Sequence, residues 1–178
     1  DGGKLVANDP PSAKVPAGGG PRHIAFHPTK NVVYTNNELS SAVTVFALDP
    51  EKGSMTELQT IKTTPADFSG SNDTAEILVS GDGRFVYVSN RGHNSIATFS
   101  IDGDKGMLTL VEHTSTQGNW PRDFKFDPSG KFLLVAHQKS NDVVVFNVDK
   151  GTGKLTASGN TLSMSKPVNF AFVPASGK

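Results

Sequence analysis

The chain has 178 residues, enough for one ordinary domain with a real core. Its 17 Lys and Arg balance 17 Asp and Glu, which argues against a broad nucleic-acid footprint or an anionic-membrane surface, both of which need a basic excess. It has no Cys, so disulfides, thiolate metal sites and Cys nucleophiles are excluded, and a cytoplasmic location is compatible. The 18 Gly and 11 Pro punctuate the chain instead of forming tracts, as in an all-β protein with many turns.

From the first residues on, GGKLVAND reads as a lone outer strand of a preceding repeat, within a partial unit at 1–10. The organising feature follows. The segment from Pro21, PRHIAFHPTKNVVYTNNELSSAVTVF, aligns without gaps with TAEILVSGDGRFVYVSNRGHNSIATF from Thr74. It aligns again with PRDFKFDPSGKFLLVAHQKSNDVVVF from Pro121. Ile24, Ile77 and Phe124 correspond, and so do Phe46, Phe99 and Phe146. A fourth copy opens with PVNFAFVP at Pro167.

Each copy predicts four strands, A to D. A turn such as HPTKN, SGDGR or DPSGK joins A to B. Strand C is rich in Val, Ile, Thr and Phe, as in AVTVFAL, and a second Gly- or Asp-bearing turn leads to D. No stretch has helical periodicity. Repeats of this length with four strands each predict an all-β propeller with three complete blades at 20–64, 73–117 and 120–164, and partial units at 1–10 and 166–174. A self-contained β-sandwich fits the same pattern. Open blade flanks would be apolar, so the remaining blades or a complementary chain are expected partners.

In a propeller, the D–A and B–C connections share one mouth of the central channel. The start of strand A there carries Arg22-His23, Ala75-Glu76, Arg122-Asp123 and Val168-Asn169, and the end of strand B carries Glu38, Arg91 and Gln138 in one register. Packing positions such as Phe26, Val79 and Phe126 keep their apolar type between copies. The mouth positions stay polar and change identity, as a shared scaffold with an asymmetric site requires.

The strings GGGPRHIAFHP, TNNELSSAVTVF, GDGRFVYVSNRG and PRDFKFDPSGKFLLVAHQKSNDVVVF resemble blades of the seven-bladed propeller lactonases. That family includes metal-independent 6-phosphogluconolactonases and 3-carboxy-cis,cis-muconate lactonising enzymes, and the resemblance is to its C-terminal half. It implies an active site at the mouth, with Arg22 from GPRH, Glu38 from NEL and Arg91 from SNRG. A further family His belongs to an earlier blade and has no counterpart here, so the chain alone is expected to lack appreciable activity. The resemblance implies hydrolysis of a small anionic lactone, with no cofactor and no metal. Glu38 is the expected base or acid, and Arg22 and Arg91 hold anionic groups. Arg122, His23 and Gln138 are the expected substrate-binding residues. Muconate cyclisation would use the same parts, and a non-enzymatic binding propeller is the competing class.

Other motifs are weaker. His27, His93, His113 and His137 lack metal-ligand spacing. DGDKG lacks the later acidic ligand of a calcium loop. His93 and Trp120 lie close to the mouth in sequence, and Asn72-Asp73-Thr74 matches a glycosylation sequon.

Overall fold

Alternating apolar residues and paired turns fold each repeat into one antiparallel four-stranded sheet. The computed structural model describes residues 3–173. The first blade is β1 (Pro21–Phe26), β2 (Val32–Asn37), β3 (Ala42–Asp49) and β4 (Ser54–Lys62). The second is β5 (Thr74–Val79), β6 (Phe85–Asn90), β7 (Ser95–Ile101) and β8 (Leu108–Ser115). The third is β9 (Pro121–Phe126), β10 (Phe132–His137), β11 (Asp142–Val148) and β12 (Leu155–Ser163). Strands follow chain order within every sheet, and no helix occurs among the described residues. The innermost strands meet, β1 against β5 and β5 against β9.

The core lies between blades rather than within one. Tyr34, Val43 and Val45 of the first blade pack on Ile77, Val88 and Phe99 of the second. Tyr87 and Ile96 of the second pack on Phe124, Leu133 and Phe146 of the third. Repeated polar latches fix the spacing. The buried hydroxyl of Tyr34 donates to Gly106 O at 2.9 Å, and that of Tyr87 to Gly153 O at 2.9 Å. Both glycines have positive φ, and a Cβ on Gly153 would meet the Phe85 ring at 2.4 Å, so glycine is required there twice over. In the third blade Leu134 takes the tyrosine position, and no latch is possible.

Among the described residues, neither expected flanking unit carries a strand. Gly3–Pro10 carries no strand, and Leu5 and Val6 are exposed; Asp1 and Gly2 lie outside the described residues. The stretch from Pro167 to Val173 carries none either, and Pro174 lies outside the described residues. The reason is hydrogen bonding. Each innermost strand ladders only with strand B of its own blade, and each outermost strand only with strand C. Neither flanking stretch has that neighbour among the described residues. The C-terminal stretch still runs beside β9, where the Phe170 N–H donates to Asp123 Oδ2 at 2.8 Å.

Candidate functional site

The mouth is built by one repeated backbone contact. The N–H groups of Glu38, Arg91 and Gln138 donate to the carbonyls of Gly20, Asp73 and Trp120, each in the connection entering its blade. These three residues therefore occupy equivalent places on one face. Every innermost strand is also bulged at its start, with the irregularity at Pro21/His23, at Thr74/Ile77 and opposite Ala136/His137. The extra residue re-aims the adjacent side chains. Arg22, Ala75 and Arg122 fall at these bulges, which brings Arg22 onto the second blade.

Three of the expected residues form one ion chain. One Glu38 carboxylate oxygen bonds Arg91 Nη2, and the other stands 3.7 Å from Arg22 Nε. Arg22 Nη1 also donates to Ala75 O at 2.6 Å and to His23 Nε2 at 3.0 Å. Arg91 donates to Thr74 O and is only 6% exposed at its side chain. It is therefore buried behind Glu38, not presented to the channel as expected of a substrate ligand. Arg22 keeps a half-buried guanidinium, whose pKa is lowered by burial against the opposing pull of Glu38. Arg122 and Gln138 are joined by a weak contact, Arg122 Nη1 to Gln138 Oε1 at 3.4 Å, and neither enters the ion chain.

The structure gives partners to His23 that the sequence placed at the mouth without a role, Glu76 and Asp123, and adds Lys125. His23 Nδ1 lies 3.2 Å from Glu76 Oε2. Lys125 Nζ lies 3.4 Å from Glu76 Oε2 and 3.4 Å from Asp123 Oδ1. Asp123 is pushed up to about 6, by burial first and then by the adjoining Glu76 carboxyl. His23 is pushed below 6.5, by burial first and then by Arg22 and Lys125. Two acids on successive innermost strands, at positions next to the bulges, were the available signal. Lys125 had none, because its register in strand A is otherwise apolar (Ala25, Leu78).

Trp120 is held at φ 69°, a costly conformation for a bulky residue, and its N–H donates to Asn94 Oδ1. Lys139 Nζ sits 3.2 Å from its ring centroid and Arg91 Cζ 5.5 Å, so two cations lie over the indole. With Gln138, Lys139, Asn141 and Lys166 it lines a cavity of about 360 Å³.

The other histidines have local partners. His27 Nδ1 accepts the N–H groups of Thr29 and Lys30, capping the first A–B turn. His93 bonds Ser95 and packs edge-on to Phe68 and His113, away from the ion chain. The buried His137 donates from Nδ1 to Asp142 Oδ1 at 2.6 Å. Asp102 of DGDKG caps its own turn by accepting the N–H groups of Asp104 and Lys105. Asn72 is committed on both ends of its amide, donating to Ser41 Oγ and accepting from Gly92 and His93, so its sequon is a structural element here.

The family model described as "Lactonase, 7-bladed beta-propeller" matches residues 1–172. A 6-phosphogluconolactonase of Bacillus subtilis is 49% identical over 112 residues, which is 63% of this chain and 32% of that protein. One of Cronobacter sakazakii is 38% identical over 129 residues, 72% of this chain and 38% of that protein. Among solved structures, the periplasmic gluconolactonase of Pseudomonas aeruginosa superposes with a TM-score of 0.89 at 38% identity, over 94% of this chain and 46% of that one. A protein from Lactobacillus plantarum gives 0.84 at 38% identity, over 88% and 46%. The chain thus spans less than half the length of the relatives it matches. Three four-stranded sheets whose innermost strands adjoin, a polar face built on bulged inner strands, and a match covering almost the whole sequence make this chain a member of the seven-bladed β-propeller lactonase family.

Proposed function

We propose that the full-length protein hydrolyses a small anionic sugar-acid lactone, and that the mouth around Arg22 is where it does so. The observation that carries this reading is the Arg22–Glu38–Arg91 chain, which spans two blades on the face where the inner strands begin. Relatives named as 6-phosphogluconolactonase and gluconolactonase support the reaction class.

Hydrolysis needs an activated water, a proton for the departing ring oxygen, and positive charge where the carbonyl oxygen becomes an oxyanion. Arg22 is the guanidinium best placed to face substrate, because its planar fork suits a carboxylate or phosphate and part of it remains exposed. Arg122 offers a second cation one blade on. Arg91 is buried against Glu38, whose own side chain stays partly exposed beside Arg22. Both Glu38 oxygens face guanidinium groups, so its role here is to hold Arg22 in position. Gln138 orients Arg122. No cofactor enters this scheme. The three blades alone form only part of the mouth, and the isolated chain is expected to turn over poorly.

The test is a pH-stat assay of the full-length protein on 6-phosphogluconolactone and on gluconolactone, with spontaneous hydrolysis subtracted. Enzyme-like turnover of at least one lactone is expected. Arg22→Gln should raise KM for the phosphorylated lactone by at least about tenfold, the loss of one charge-assisted contact. No turnover of either lactone would reject the reading.

A further inference from the structure

We infer that His23 is the base that moves the proton in this reaction, oriented by Glu76, with Lys125 and Asp123 holding Glu76 in place. The inference rests on the lactonase reading above and names the group that reading leaves open.

The bulge at Arg22 sets the geometry. Past it, the His23 N–H donates to Asn36 Oδ1 at 3.0 Å, and the ring turns toward the second blade. There it meets Glu76 across the seam between β1 and β5, with Nδ1 3.2 Å from Oε2. Arg22 Nη1, which can only donate, reaches both ring nitrogens but lies nearer Nε2, at 3.0 Å against 3.4 Å for Nδ1. The carboxylate beside Nδ1 and the guanidinium closer to Nε2 favour a proton on Nδ1, which leaves the Nε2 lone pair on the Arg22 side. Of the acid–base groups in this cluster, His23 has the most access, with 39% of its side chain exposed against 9% for Glu76 and 2% for Asp123.

Behind Glu76 stand one ammonium and a second carboxyl. Lys125 is a single ammonium set against two carboxyls, Glu76 and Asp123. Two carboxyls set against one cation raise the pKa of the deeper member. Asp123 is the deeper one. Its Oδ1 is buried and accepts no hydrogen bond, and its pKa is raised. The charged groups facing the imidazole are Arg22, Glu38, Glu76, Asp123 and Lys125, drawn from all three blades. Burial and the two cations outweigh the acids and keep the ring neutral at neutral pH, as a base must be.

The step balances within these groups. A water oxygen attacks the lactone carbonyl carbon while its proton passes to Nε2, and the resulting oxyanion faces Arg22. The bond from that carbon to the ring oxygen then breaks, and the departing oxygen takes the proton from Nε2. One water is consumed, one hydroxy acid is released and His23 returns neutral. In the free site the Nε2 lone pair is occupied by Arg22. An anionic substrate that engages the guanidinium releases it, which couples substrate charge to base availability.

The experiment uses the full-length protein, with lactone hydrolysis followed across pH 5 to 9 and the His23 tautomer read by 15N imidazole NMR. His23→Gln should lower kcat by about 10²–10⁴-fold, with KM changed only a few-fold. Glu76→Gln leaves the imidazole in place. It should lower kcat less and move the acid limb of the kcat/KM profile to lower pH, because a lost anionic neighbour lowers the His pKa. The 15N shifts should report a proton on Nδ1 in the native protein. A wild type active on lactones whose His23→Gln variant keeps kcat within about threefold overturns this inference and leaves the lactonase reading standing. So does an acid limb that Glu76→Gln does not move, or a His23 protonated on Nε2 alone. An inactive wild type overturns both.

Discussion

Ile24, Ile77 and Phe124 occupy the same place in three successive innermost strands, yet Ile24 is 51% exposed while Ile77 is 1% and Phe124 0%. The residues differ little in type. What differs is the neighbour: Ile77 packs on the first blade, Phe124 packs on the second, and no blade among the described residues precedes Ile24. A blade therefore does not bury its own leading face. That burial is supplied by the sheet before it, and the value of an apolar side chain here is set by its place in the stack rather than by its repeat position.

Substitutions along this series test the comparison. Phe124→Ala should show the largest effect, about 3–5 kcal/mol lost in urea unfolding of the chain, because it empties the core between the second and third blades. Ile77→Ala should follow at about 2–5 kcal/mol, in the seam between the first two. Tyr87→Phe removes one latch and leaves Gly153 O without its donor, which should cost about 1–3 kcal/mol. Ile24→Ala should come last, within about 0.5 kcal/mol in this chain, as for an exposed position. Equal losses for Ile24→Ala and Ile77→Ala would break the comparison. In the full-length protein, a rise of the Ile24→Ala cost toward that of Ile77→Ala would sharpen it.

A polar position gives the same lesson through pH. Asn37 and Asn90 end the second strands of the first two blades, and His137 takes that place in the third. Burial holds His137 below its usual 6.5, against the opposing pull of Asp142. The native state thus binds fewer protons at this site than the unfolded chain does. The neutral ring costs nothing above the unfolded value, and stability falls as pH drops below 6.5. His137→Asn, which installs the residue of the other two blades, should leave the urea midpoint less sensitive between pH 7.5 and 5 than in the native chain. An unchanged pH dependence would assign the acid sensitivity elsewhere. Asp123 carries the opposite sign: its raised pKa favours the protonated native state, so its contribution is present below the usual 3.8 and is lost as pH rises through about 6.

The sequence alone determined the repeat, the four strands of each blade and the shared face of Glu38, Arg91 and Gln138. The physical reason is that strand period, turn chemistry and register are local and recur at fixed offsets. It also placed Arg22 and Glu38 at one mouth. Only the tertiary structure decided that Arg91 is buried behind Glu38, that Arg122 stands apart from the ion chain, and that His23, Glu76, Asp123 and Lys125 converge. Those contacts join different blades, and a bulge at each inner strand decides where their side chains point. The lone flanking segments show the same limit. PVNFAFVP has the composition of an innermost strand, but composition cannot supply the partner whose hydrogen bonds make it one.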